Sequence, residues 1–195
     1  TLPHGKHEVD DLGEYAGKDW TPLQKAYAAQ ITRLDSDVGR LLALLKELQI
    51  DETTVVFFAG DNGPSLPPDF RLGMFNSDNG LRGWKSTMYE GGLRQAAIVR
   101  WPGVVPAGTV TEAPVSSIDL LPTISDVAGL ELSGGPVIDG VSLMPVLEHQ
   151  GSLNRDVLCW HFPHYREPDI LPYSIIREGD WKLIKRYEGP SFELY

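Results

Sequence analysis

Two polar side chains directly follow the most apolar run of this 195-residue sequence. The run from Thr53 to Ala59 is typical of a buried strand, and Asp61 and Asn62 come just after it. Ligands of open α/β sheets bind at the carboxyl ends of strands, and Ca²⁺ and Mg²⁺ prefer carboxylate and amide oxygens. The pair is therefore a candidate metal site, with a simple turn as the alternative. A second Asp-Asn-Gly, residues 78–80, lies in a loop and is interpreted as a turn.

A lysine and a histidine could act on an anionic group. Lys85 lies in the glycine-rich stretch 81–94, where backbone can approach a ligand closely and an ammonium group can meet an oxyanion. His4, in the irregular N-terminal stretch, is a candidate general acid or anion contact. The residues alone leave a solvated lysine and an uninvolved histidine as alternatives.

A third group of polar side chains lies in the aromatic segment 160–165, which contains His161 and His164. Aromatic rings with polar edges suit the faces and hydroxyls of sugars. We therefore predict His161 and His164 as substrate-binding residues. A strand that ends in a packed turn is the alternative interpretation of the same six residues.

The elements that must position these residues begin with a helix. Thr21, Pro22 and Gln24 form a capping-box start, and apolar residues then recur every three or four positions for about seven turns. A strand follows at once, which favours a helix packed on a sheet over a coiled coil. We expect the strand at 53–59 to be buried on both faces, as in a parallel sheet covered by helices.

The rest of the chain divides into two parts. Residues 94–101 predict a second strand, a helix begins near Leu120, and a short helix is expected near 144–148. Three strand patterns with a tight turn then follow at 157–162, 173–177 and 181–187. The fold class predicted is α/β, with residues 1–150 as a sheet flanked by helices. Residues 151–195 are predicted to begin a small antiparallel subdomain.

Composition excludes several classes of function. The formal net charge is −10 with the charges mixed along the chain, so a basic nucleic-acid-binding face is not expected. No apolar stretch approaches the roughly 18–20 residues of a membrane span, so no membrane contact is expected. Cys159 is the one cysteine, which excludes an intrachain disulfide and a cysteine metal cluster but leaves the compartment open.

The order and spacing of several short motifs resemble the sulfatase family, which has an alkaline-phosphatase-like fold. The motifs run through nearly the whole chain: Pro3-His4, Val56–Gly63, Leu81-Arg82-Gly83 before Lys85, Tyr89–Arg94, Trp101-Pro102-Gly103, Asp119–Thr123, Asp139–Leu143 and Gly179–Leu183. Each motif alone is weak evidence for the family, but the whole series in this order and spacing is specific to it.

The resemblance implies hydrolysis of sulfate esters with a Ca²⁺ ion and a formylglycine nucleophile. It implies that Asp61 and Asn62 ligate the calcium, that Lys85 binds the sulfate and the bridging oxygen, and that His4 assists the leaving group. The formylglycine motif, Cys/Ser-x-Pro/Ala-x-Arg, is absent from this chain, because Cys159 stands in Leu-Cys-Trp-His. For the full-length family member a periplasmic or secreted location is implied.

We therefore predict that the chain is the C-terminal portion of a sulfatase, inactive alone, that acts on a sulfated small molecule or glycan. Both ends have the character of a cut sequence, so an exposed sheet edge and self-association are expected. The alternatives are a non-catalytic module that binds sulfated glycans or a partner, and a phosphoester or phosphonate hydrolase of the same fold.

Overall fold

The computed structural model describes residues 9–65, 74–132, 135–149, 151–166, 170–189 and 191–195. His4 lies outside these residues. The described elements are, in chain order, α1 (Pro22–Glu47), β1 (Val56–Ala59), α2 (Glu90–Leu93), β2 (Ala97–Arg100), α3 (Leu120–Val127), α4 (Met144–Leu147), β3 (Val157–Phe162), β4 (Tyr173–Glu178), β5 (Trp181–Arg186) and β6 (Phe192–Leu194). Together they form a mixed helical and antiparallel sheet structure that ends in a small C-terminal sheet.

Helix α1 begins as its capping residues predict. The Thr21 side chain accepts a hydrogen bond from the Gln24 amide, and the Gln24 side chain accepts one from the Thr21 amide. The helix has 26 residues, which confirms the predicted seven turns. Its first half is buried at Ala26, Ala28 and Ala29, whereas the apolar seam of its second half is open, with Leu41 63% exposed.

Strand β1 differs from the prediction in its pairing and its burial. It pairs antiparallel with β2, with Val56 opposite Arg100 and Ala59 opposite Ala97, and has no parallel neighbour among the described residues. Phe58 and Ile98 are exposed, so the strand is not buried on both faces within the described chain. The expected parallel neighbour and burial are therefore not seen within the described chain, because a continuous apolar run predicts two apolar faces and does not specify what covers them.

The C-terminal sheet confirms the predicted strands and their turn. The order is β3-β4-β5-β6 with every pair antiparallel, and Gly179 turns the β4–β5 hairpin at a φ of 54°. Its inner face carries the most buried apolar side chains of the described chain, including Tyr173, Ile175 and Ile184. Met88 and Ile170 complete this cluster, so the segment that follows Lys85 packs into the core of the second sheet.

A buried aspartate joins three separate segments. Asp119 is fully buried at the start of α3 and accepts hydrogen bonds from the Ser116 amide at 2.8 Å and the Val141 amide at 3.0 Å. The Arg155 guanidinium, itself nearly buried, donates to the same carboxylate at 2.5 Å. Because these partners come from 22 and 36 residues away, one carboxylate connects α3 to the chain before α4 and to the start of β3.

No helix among the described residues is long and apolar enough to cross a membrane.

Candidate active site

The Asp61-Asn62 pair occupies the bend at the end of β1. The Gly60 amide still bonds to the Ala96 carbonyl of the neighbouring strand segment at 3.0 Å, after which the chain turns away from the sheet. Asp61 is exposed, and Asn62 is half-buried with its side-chain nitrogen donating to the Gly63 carbonyl at 2.9 Å. Because the side-chain nitrogen of Asn62 makes this bond, its side-chain oxygen is the atom that can bind a cation.

The loop of Lys85 lies directly against this bend. The Lys85 amide donates to the Pro64 carbonyl at 2.9 Å, and the Gly63 amide donates to the Gly92 carbonyl at 3.0 Å. Two backbone hydrogen bonds thus join residues 63–64 to the segment 85–92. The structure therefore brings the predicted metal pair and the predicted oxyanion lysine into one region.

Glycines make this approach possible. A Cβ built on Gly63 would overlap the Gly91 carbonyl, one on Gly91 would overlap the Gly83 carbonyl, and one on Gly92 would overlap the Thr87 carbonyl. Only a residue without a side chain fits at these positions, which is why the segment contains so many glycines. The sequence indicates that these glycines allow close backbone approach, but it does not indicate which backbone they contact.

The lysine itself lies beside a strained residue. Ser86 has a φ of 76°, which is uncommon for a residue with a side chain. The turn is held from inside by Thr87, whose hydroxyl bonds to both the amide and the carbonyl of Trp84. Strain of this kind persists where surrounding contacts over-determine the backbone, and such positions cluster at functional sites.

The inner face of the C-terminal sheet contacts the same loop. The Tyr173 hydroxyl donates to the Ser86 carbonyl at 3.3 Å, and the Lys182 ammonium pairs with the Glu90 carboxylate at 2.7 Å. Burial raises the pKa of the Tyr173 hydroxyl, so it stays protonated and able to donate.

A second set of contacts surrounds Tyr89. Its hydroxyl accepts from Arg82 at 2.8 Å and from Arg186 at 2.9 Å, and the Arg82 guanidinium also lies 3.6 Å from the centre of the Tyr89 ring. Glu193 pairs with Arg186. Burial opposes ionisation of Glu193, but the Tyr195 hydroxyl and the positive charge of Arg186 outweigh it and lower the pKa of this carboxyl. Partial burial, with the nearby Glu193, raises the pKa of Tyr195 to about 12.

The two predicted substrate histidines differ in their position relative to the C-terminal sheet: His161 is in β3, and His164 lies two residues beyond its end. His161 is directly opposite Ser174 and bonds to its hydroxyl at 2.8 Å, on the face that turns away from Tyr173. His164 contacts the edge of Phe162, which stacks on Tyr173 with ring centres 5.2 Å apart. His164 thus contacts a ring that packs on Tyr173, whose hydroxyl bonds to the Lys85 loop, whereas His161 is on the other face of the sheet.

The second Asp-Asn-Gly forms the turn that was expected. The Gly80 amide bonds to the Asp78 carboxylate at 3.1 Å, and Asn79 and Gly80 both have positive φ.

Asp61 and Asn62 could supply some, but not all, of the ligands of a hard cation. Within the described ranges, no cluster of three or more His, Cys, Asp or Glu residues could hold a metal ion. The Asp61 carboxylate and the Asn62 carboxamide oxygen are adjacent oxygen ligands of the type that Ca²⁺ takes, and Ca²⁺ takes about six to eight in all. Two ligands fit the chemistry, and further oxygens are needed to complete a site.

Two family models and several known proteins are similar to this chain. The sulfatase family model matches residues 3–130, and the model for the C-terminal region of N-sulphoglucosamine sulphohydrolase matches residues 80–195. A sulfatase of Formosa agariphila is 37% identical over 190 residues, covering 88% of this chain and 33% of that protein. Mouse steryl-sulfatase is 36% identical, covering 82% of this chain and 25% of that protein.

Solved structures show the same fold. Ps i-CgsB in complex with k-i-k-neocarrahexaose superposes with a TM-score of 0.82 at 26% identity, covering 99% of this chain and 41% of that one. BT4656 in complex with D-glucosamine-2-N,6-O-disulfate superposes with a TM-score of 0.70 at 30% identity, covering 88% and 33%. The chain thus spans well under half the length of the proteins that it matches.

Proposed function

Because this chain belongs to the sulfatase family, we propose that it supplies one part of a site that hydrolyses sulfate esters of carbohydrates. The observation that carries the proposal is the pair of backbone hydrogen bonds that joins the bend after β1 to the Lys85 loop. These bonds keep Asp61 and Asn62, the proposed oxygen ligands, in the same region as a lysine. A site that hydrolyses a sulfate ester needs both metal ligands and a cation that binds the sulfate.

Lys85 is proposed to bind the sulfate and the oxygen that bridges it to the sugar. An ammonium group is a compact point charge, so it can neutralise the negative charge that develops on the leaving oxygen. Its place beside the strained Ser86, at the tip of a turn held by Thr87, supports a fixed position for the lysine backbone.

Asp61 and Asn62 are proposed to contribute two oxygens to a Ca²⁺ site. A bound Ca²⁺ would supply positive charge for the sulfate oxygens. The chain's own contribution is to hold the two ligands at the end of β1, where the Gly60 bond to Ala96 and the Gly63 bond to Gly92 anchor the bend on both sides.

The remaining chemical groups are proposed from the family resemblance. His4 would assist departure of the leaving group as a general acid. The formylglycine nucleophile has no precursor motif in this chain, so we propose that the chain alone does not turn over substrate.

The substrate class is proposed to be a sulfated carbohydrate. Two structural relatives at 26% and 30% identity are complexes with a carrageenan-type hexaose and with a glucosamine disulfate. His164 is exposed just beyond β3 and contacts Phe162, which stacks on Tyr173, so it is the better candidate for a sugar contact. A contact from His161 would require the sugar to reach the other face of the sheet.

The proposal is tested on the polypeptide encoded by the gene that carries this sequence, purified with Ca²⁺ and assayed for sulfate release from sulfated saccharides. An in-frame Cys/Ser-x-Pro/Ala-x-Arg upstream is expected. Lys85→Ala should lower kcat/KM by about 100-fold, because it removes a charge aimed at the transition state. The matched control is Lys18→Ala, at an exposed lysine far along the chain from the loop.

Full activity of Lys85→Ala would refute the role of the lysine. Robust sulfate release by the 195-residue chain alone would refute the proposal that it lacks the nucleophile. Binding of sulfated sugars by calorimetry, with no turnover in any preparation, would instead favour a non-catalytic glycan-binding module.

Self-association of this chain is a separate expectation. Phe58 and Ile98 on the β1–β2 sheet and Leu41 on α1 are exposed apolar side chains, and exposed apolar faces favour association. Light scattering of the purified chain should give a mass above the 21.6 kDa of one copy. A monodisperse monomer at all concentrations would contradict this expectation.

A further inference from the structure

Three contacts connect the C-terminal sheet to the segment that carries Lys85. Met88 inserts into the buried cluster of the sheet beside Ile175 and Ile184. The Tyr173 hydroxyl bonds to the Ser86 carbonyl, and the Lys182 ammonium pairs with Glu90. These contacts flank the lysine on its C-terminal side, at one, three and five residues from it.

The two sheet residues that make the polar contacts, Tyr173 and Lys182, are both buried. Lys182 is only 8% exposed, and a cation at this burial needs a partner, which Glu90 provides. Tyr173 is 4% exposed, so its hydroxyl position is set by the packing of its ring on Phe162. The sheet therefore presents fixed groups to a loop whose own backbone is strained at Ser86.

From this geometry we infer that the C-terminal sheet sets the position of Lys85, with Tyr173 and Lys182 as positioning residues. The inference rests on the proposed role of Lys85 for its consequence in catalysis. Neither residue needs to touch substrate. Both act through the backbone that carries the lysine, and loss of either contact should let the turn relax toward an unstrained conformation.

The test uses amide hydrogen exchange of the 195-residue chain. Lys182→Met removes the ammonium and keeps an apolar side chain of similar length, so the sheet should remain folded. The Lys85 amide, which bonds to the Pro64 carbonyl, should then exchange about tenfold faster, whereas the amides of β3 and β4 should not change. Lys182→Arg should restore protection, because it keeps a cation opposite Glu90.

The matched control is Lys185→Met, on the same strand but on its exposed outer face. Tyr173→Phe is a second, independent variant that removes only the hydroxyl. If Lys182→Met does not fold, Tyr173→Phe decides the question. Unchanged exchange at Lys85 in the folded variants would overturn the inference.

A kinetic experiment separates positioning from general structural damage. In a preparation that hydrolyses sulfate esters, Lys182→Met should lower kcat/KM about tenfold, and it should cause no further loss when Lys85 is already alanine. An equal loss in both backgrounds would indicate a structural role alone and would overturn the inference. Absence of hydrolysis by the unchanged enzyme would refute the proposed function only, because the exchange experiment requires no turnover.

Discussion

Replacing Gly63 by alanine is expected to destabilise this chain by about 3 kcal/mol or more and to separate the Asp61-Asn62 bend from the Lys85 loop. The added Cβ would overlap the Gly91 carbonyl and also meet Gly92, and both are backbone atoms that cannot rotate aside. The bend must therefore move, which breaks the bond from the Gly63 amide to the Gly92 carbonyl. Urea unfolding monitored by tryptophan fluorescence measures the change in the free energy of unfolding.

Gly17→Ala is the matched control for this substitution. No heavy atom lies within 4 Å of a Cβ built on Gly17, and its φ is not in the left-handed region. It should change stability by less than about 0.5 kcal/mol. If Gly63→Ala were as mild as this control, the close packing of the two loops would be incorrect, and with it the juxtaposition on which the proposed site depends.

Asp119→Ala is expected to destabilise the chain by about 4 kcal/mol. The substitution leaves the nearly buried Arg155 guanidinium without its carboxylate, and it removes the acceptor of the Ser116 and Val141 amides. Removing one partner from a buried pair costs more than the pair contributes, because the other charge remains desolvated. Thermal and urea unfolding should both report the loss.

The control for this prediction is Asp126→Ala, which removes an exposed aspartate from the same helix and should change little. Adding Arg155→Met to Asp119→Ala should recover roughly 2 kcal/mol, since the unpaired cation is then gone while the two amides stay unsatisfied. Strictly additive losses in the double variant would show that Asp119 and Arg155 do not stabilise each other as the structure indicates.

Local features of the fold were predictable because their causes are local. The start of α1 depends on Thr21, Pro22 and Gln24, which contact each other within one turn. The β4–β5 hairpin depends on a two-residue turn with glycine at a positive φ. In both cases the residues that decide the conformation are neighbours in sequence, so their pattern is sufficient evidence.

The pairing of β1 was not predictable in the same way. Its apolar run is compatible with a parallel or an antiparallel neighbour, and the partner, β2, is about 40 residues away across a long loop. Which strand lies beside it depends on the path of that loop. The face that His161 occupies is a similar case, because the aromatic segment indicates a surface for sugars but not which side of the sheet contacts the lysine loop.

By itself, the sequence determined which side chains are candidates for a sulfatase site: a carboxylate and a carboxamide after a strand, and a lysine among glycines. Only the tertiary structure decided that the two segments carrying these groups lie together, because the joining backbone bonds connect Gly63 to Gly92 and Pro64 to Lys85 across more than 20 residues. It also decided that Tyr173 and Lys182 contact the lysine loop. Such contacts depend on packing between distant segments, and nothing in the local pattern of either segment encodes the partner.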